Sequence, residues 1–346
     1  MAELFLREAT ARPDCPESVI AHRVSGNTCL YFGDFAGAHD HLRKAVELYD
    51  PARHGDSARF GHDPRAAAEA FDAIALWVLG RVDMALPLAD RALADAELVA
   101  YSPTTGYVLA FGGLLGLVRY TPEAVATYGR ALADIVSRYD LAVWAGRAAF
   151  YQGWAKRSGG AEESRLAEMR RGLAICRGQG RHWTLPSFEA ALAEAEASAG
   201  ETDAGLRRLD DALAELEATE ARWYEAEMHR IRAAILLKRD PADTAAAERS
   251  LQAAIAVAQS QKARSFELRA ALSLAKLYRA ANRDADAHAV LAPAIEGFPP
   301  TQQFPELTEA QTLLAALSHQ IDGLRRASHA LDGAYALLNS KRGGLK

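Results

Sequence analysis

One local pattern recurs about every 40 residues along nearly the whole chain, and it leaves few folds open. Two small residues seven apart follow a turn and flank a larger apolar residue, at Ala38/Ala45, Ala85/Ala92, Ala124/Ala131, Arg165/Gly172, Gly205/Ala212, Ala247/Ala254 and Ala287/Ala294. Between them stand Leu42, Ala89, Tyr128, Met169, Leu209, Leu251 and Leu291. Spacings of 3, 4 and 7 return to one face of a helix, so each set marks the packing face of a second helix. Successive registers lie 47, 39, 41, 40, 42 and 40 residues apart. Twelve residues before most pairs comes another small residue: Gly26, Ala73, Gly112, Gly153, Ala193 and Ala275. Small residues there let a first helix approach the second closely, and a large side chain would cost roughly 1 to 3 kcal/mol by overpacking. Repeat four breaks the rule by placing Arg165 in the small position.

Turn chemistry supports helical hairpins. Gly33-Asp34, Gly80-Arg81, Gly159-Gly160, Gly200-Glu201 and Asn282-Arg283 fall where first helices should stop, and Gly or Asn accepts the left-handed conformation of a helix end. Asp63-Pro64, Ser102-Pro103 and Thr121-Pro122 place a capping oxygen before a proline at the first helical position. Pro87 and Pro293 sit inside second helices and should shorten or bend them. β-branched residues are sparse and alternating apolar runs are absent, so strands are not expected. The repeats read as about 17–51, 64–100, 103–140, 143–180, 186–220, 223–262 and 265–299, followed by capping helices over 305–340. No linker divides the chain, so 1–346 reads as one all-α domain, a right-handed superhelix of about seven hairpins.

Within each repeat the sequence resembles a tetratricopeptide repeat, most clearly from Gly33-Asp34-Phe35-Ala36-Gly37-Ala38 through Leu42, Ala45 and Asp50-Pro51. That unit is 34 residues long, so a period near 40 implies longer helices. The chain also resembles the C-terminal helical-repeat region of bacterial signalling proteins that carry adenylate or guanylate cyclase and ATPase domains. Four segments carry this resemblance: LYDPARHGDSARFGHDP at 48–64, ALWVLGRVDMAL at 75–86, ARWYEAEMHRIRAAILL at 221–237 and AERSLQAAIAVAQSQKARSFELRAALSLAKLY at 247–278. It runs on to PELTEAQTLLAAL at 305–317. The resemblance implies a non-catalytic interaction or ligand-sensing module of a signalling regulator. The alternative is the ligand-binding effector domain of a transcription regulator, although no helix-turn-helix segment is visible.

Catalytic motifs are missing from the sequence. There is no GxxxxGK[ST], GxSxG or HExxH, and FGGLLGLV at 111–118 has no lysine to cradle a phosphate. Cys15, Cys29 and Cys176 are odd in number and far apart, so neither a disulfide framework nor a thiolate metal site can be drawn. No cofactor and no enzymatic activity are expected. The net charge of -5 provides no positive field to hold nucleic acid or an anionic membrane. The apolar stretch Tyr107–Val118 is too short to span a bilayer and MAELFLREAT does not read as a signal peptide, so a cytoplasmic protein is expected. His39 and His41 point about 200° apart on a helix and read as a solvated face. The loop 50–63 gathers Asp50, His54, Asp56, His62 and Asp63, with His54, His62 and Asp63 a polar-site candidate and Asp63 also an N-cap. In WYEAEMHR at 223–230, Trp223 and Met228 should pack while Glu227 and Arg230 pair.

The tetratricopeptide resemblance implies groove positions at Arg23, Asn27, Trp77, Arg147, Trp154, Arg157, Glu194, Glu227, Arg230, Arg269, Lys276 and Arg279. This mostly basic, Trp-bearing stripe suits an acidic protein or peptide segment, or an anionic small molecule, because guanidinium forks bind carboxylates and indoles offer flat apolar area. The competing reading is that the arginines snorkel over alanine-rich helices. Arg23 and Asn27 resemble half of the carboxylate clamp of chaperone-binding repeats, but Phe71 replaces the next asparagine. A homodimer is compatible with the sequence.

Overall fold

A computed structural model describes residues 2–11, 17–54, 61–156, 162–180, 184–299, 304–320 and 323. Its helices are α1 (Ala2–Thr10), α2 (Glu17–Phe32), α3 (Phe35–Leu48), α4 (Pro51–His54), α5 (Pro64–Val78), α6 (Val82–Val99), α7 (Ser102–Val118), α8 (Pro122–Tyr139), α9 (Ala145–Ala155), α10 (Glu162–Gly178), α11 (Leu185–Ser198), α12 (Thr202–Thr219), α13 (Glu225–Arg239), α14 (Thr244–Ser260), α15 (Arg264–Ala280) and α16 (Asp284–Ile295). A further helix covers 305–320. Short 3-10 turns, Ala142–Trp144 and Arg222–Tyr224, lead into α9 and α13. No strand occurs among the described residues, and the fold is an all-α helical-repeat solenoid. The part of the expected capping region from 324 to 340 lies outside the described residues, as do Arg157 and the Gly159-Gly160 turn.

The chain forms two compact units, Met1–Glu267 and Leu268–Lys346. In the first, α2/α3, α5/α6, α7/α8, α9/α10, α11/α12 and α13/α14 are successive hairpins. Their close contacts follow the small-residue register. A Cβ added at Gly153 would meet the backbone of Met169 at 2.9 Å and of Arg165 at 3.0 Å, while one at Gly205 would press on the Ala193 carbonyl at 2.6 Å. Gly26 faces Leu42 and Ala38 in the same way. Arg165 fits its small-residue position because its side chain leaves the contact and reaches the Ala195 carbonyl at 3.4 Å. Pro87 does not shorten its helix, since α6 runs for 18 residues. Pro293 lies in the 12-residue α16.

Buried carboxylates on first helices bind neighbouring second helices. Glu196 accepts from Arg208 and Arg170, and Glu189 from Arg177 and Arg208, at 2.6–3.2 Å. The Arg208 guanidinium, hydrogen-bonded first to Glu196, is pushed well above its ordinary value. Burial alone would keep the Glu196 proton on, but the two arginines overcome it and hold the carboxyl below its usual range. Each glutamate thus enters the interior as a paired charge, the condition under which burial is tolerated.

Candidate functional site

In the first unit the inner wall is assembled from helices far apart in sequence. Arg23 on α2 is 9% exposed and Arg147 on α9 is 1% exposed. Tyr107 and Phe111 on α7, one turn apart, fill the space between them, with Phe71 of α5 4.3 Å from Phe111 between ring centroids. Arg147 lies over the Phe111 and Trp144 rings at 4.8 and 5.0 Å and also reaches Thr184. This geometry lets aromatic faces share the compensation of a desolvated cation.

A polar corner surrounds the Tyr107 hydroxyl, which Asn27 and Arg23 both contact by hydrogen bond. Burial raises the Tyr107 pKa, and the nearby Arg23 and Arg147 partly offset it. His62 stacks on Tyr107 at 4.3 Å and 20°. Burial first, and Arg23 second, push the imidazole pKa down to about 3, so it is neutral at pH 7. Arg23 Nε, Asn27 Oδ1 and His62 Nε2 are buried without a hydrogen-bond partner. Phe71, at the position where the clamp resemblance wants an asparagine, instead contributes a ring to this wall.

A second inner cluster is closed on itself. Arg230 bonds Glu227 through Nε and Nη2 at 2.9 and 3.0 Å and donates to the Tyr120 hydroxyl at 2.8 Å. Burial opposes the Arg230 charge, but Glu227, with Tyr120 and Glu194, raises its pKa well above the ordinary value. Glu227 is fully buried, and Trp154 packs edge-on to Tyr120 at 6.3 Å. The expected Glu227–Arg230 pair and the packing of Trp223 and Met228 are both present. Trp77 belongs to neither cluster and is buried against Phe266 at 5.9 Å.

In the second unit Arg269 is buried, paired with Glu306 at 2.7 Å and over Phe304 at 5.7 Å. Lys276 and Arg279 are exposed and line an open groove of about 670 Å³ with Glu309, Thr312 and Leu313. Lys276 reaches Glu309 at 2.7 Å.

The loop candidates separate. Asp63 caps α5 through the Ala66 amide at 2.8 Å and accepts from Tyr49 at 2.7 Å. His54 turns back to the backbone of Asp50, while His62 joins the inner wall. Among the described residues no group of three or more His, Cys, Asp or Glu side chains can hold a metal. His39 and His41 are not a solvated face, for His39 pairs with Asp72 at 2.7 Å and His41 lies 3.0 Å from His22 between Nδ1 atoms. Sequence reasoning missed Tyr107, Phe111, Trp144 and Tyr120. The one available signal was the i, i+4 placement of Tyr107 and Phe111 in an otherwise aliphatic helix.

No protein-family model matches the chain. An uncharacterised protein of Rhizobium meliloti (strain 1021) is 26% identical over 258 residues, which is 72% of this chain and 25% of that protein. The chain therefore spans about a quarter of the length of this relative. Among solved structures, the Rap protein complexed with competence and sporulation factor is similar at a TM-score of 0.57 and 13% identity, over 94% of this chain and 98% of Rap. A signal-transduction ATPase with numerous domains and a tetratricopeptide-repeat sensor, from Pyrococcus horikoshii, aligns over 92% of this chain and 49% of its own at a TM-score of 0.49 and 12% identity. The likeness to Rap is one of fold. Among the described residues no helix is long and apolar enough to cross a membrane.

Proposed function

We propose that the chain is a non-catalytic, ligand-sensing or protein-interaction repeat module of a bacterial signalling regulator of the cyclase/ATPase type. Its ligand is an acidic peptide segment or an anionic small molecule. The observation that carries this reading is Arg23: a guanidinium more than nine-tenths buried, with Nε unpartnered, beside the unpartnered Asn27 Oδ1 and His62 Nε2. Desolvating a charge is costly without a counter-charge, and an anion at this corner supplies one. Further support comes from the fold shared with a Rap protein that was solved with competence and sporulation factor, and from the match to a quarter of a longer relative. Lys276 and Arg279 in the second unit offer a separate, open cationic groove.

Calorimetric titration with a glutamate decapeptide tests the reading. Arg23→Gln should weaken the interaction by roughly 2 to 5 kcal/mol, as expected when a desolvated charge loses its partner. Equal affinity of wild type and variant would remove the inner wall as the site. The purified chain should neither make cyclic nucleotides nor hydrolyse ATP, and turnover abolished by a point mutation would overturn the non-catalytic reading.

A further inference from the structure

Unit 1 closes on itself. Around a seam, the turn-side ends of hairpins one and two meet the segment running from the end of α12 to the start of α15. Phe266 at the start of α15 is the centre, with its ring 6.4 Å from Phe35, 5.9 Å from Trp77 and 5.7 Å from Tyr224, all buried. Three polar contacts surround these rings. Two cross the seam, Ser265 donating to the Trp77 carbonyl at 2.6 Å and Tyr31 to the Thr219 carbonyl at 3.2 Å, while the third, from Gln261 to the Arg222 carbonyl at 2.8 Å, braces the second segment internally. Gln261 also covers Gly33, where an added Cβ would collide with its amide.

Two of these donors are additions to carbonyls already satisfied within their own segments. Trp77 O also accepts from the Gly80 amide, and Arg222 O from the Glu225 amide. Removing Ser265 Oγ or the Gln261 amide thus leaves no orphaned acceptor, and every hairpin keeps its own register contacts. The seam also carries a crevice of about 460 Å³, with the half-exposed Phe32 and Asp34 on one side and Arg222, Gln261 and Lys262 on the other.

We infer that this seam is a clasp that parts with the hairpins intact, and that its opening admits the ligand to the buried corner at Arg23. The inference rests on the inner-wall reading above, because it concerns the regulation of that same site. With the clasp shut, Arg23, Tyr107, Trp144 and Arg147 are each more than nine-tenths buried, so a peptide meets no open wall. The apparent affinity is then the intrinsic affinity scaled by the open fraction.

The test uses the full chain with Cys15, Cys29 and Cys176 changed to Ala and pyrene maleimide on Phe32→Cys and Lys262→Cys, both of which line the crevice. Excimer emission reports the shut clasp. Ser265→Ala with Gln261→Ala should lower the excimer signal without ligand, leave far-UV circular dichroism unchanged and tighten binding of a glutamate decapeptide about tenfold, since one hydrogen bond across the seam and the side chain that covers Gly33 are gone. Linking the two cysteines with a short bis-maleimide should abolish that binding. An excimer band unchanged by the double substitution overturns the clasp, as does undiminished peptide binding by the linked chain. A peptide that binds no form sinks the inner-wall reading alone, because the excimer still reports the seam.

Discussion

Lowering the pH should unfold this protein partly through His62. Its imidazole stacks on Tyr107, and burial, with the charge of Arg23 adding to it, lowers its pKa from 6.5 to about 3 on folding. Between those values the unfolded chain binds a proton that the folded chain refuses, so stability declines as pH falls from 6.5 towards 3. At about pH 4.5 the difference is roughly two decades of proton affinity, or about 2.5 kcal/mol. His22 and His229, also pushed down by burial, act in the same direction, whereas Asp72 and Glu69, raised by burial, act against it. The comparison of wild type with His62→Phe isolates the one group, because phenylalanine keeps a ring on Tyr107 and Nε2 has no hydrogen bond to lose. Urea midpoints at pH 7 and 4.5 should show the variant losing about 2.5 kcal/mol less than wild type. Parallel losses in the two proteins would refute the buried, neutral state of His62.

Gly153→Leu should cost on the order of 1 to 3 kcal/mol more than Ala94→Leu on the exposed face of α6, because its Cβ meets backbone atoms of α10; equal urea midpoints would mean that the register contact is not tight. Arg230→Ala should destabilise by about 3 to 5 kcal/mol by stranding Glu227, and adding Glu227→Gln should recover a large part of that. If thermal melts show no such recovery, the pair is not coupled in the way its geometry implies.

The fold was legible because hairpin packing is local. Gly26 against Leu42, Gly153 against Met169 and Ala193 against Gly205 are contacts over 16 or fewer residues, and a small-residue period reports them directly. Pro87 does not shorten its helix because a proline removes one donor without ending the run. The site was legible only in part. Helical period tells which side chains point inward, and Arg23, Arg147, Trp154, Glu227 and Arg230 do. It does not tell which of them meet once the hairpins stack. Arg230 finds Tyr120 over 110 residues and Ser265 finds Trp77 over 188, distances at which no spacing rule operates. Arginines that read as one continuous basic strip therefore have different fates. Arg230 pairs with Glu227, Arg269 with Glu306 within the other unit, Arg147 lies over aromatic faces, and Arg23 joins the polar corner of Asn27 and His62. Charge counting along a groove weighs all four equally. Arg23 keeps an unpartnered nitrogen beside Asn27 Oδ1 and His62 Nε2, so a substitution there tests ligand recognition without breaking an ion pair of the fold.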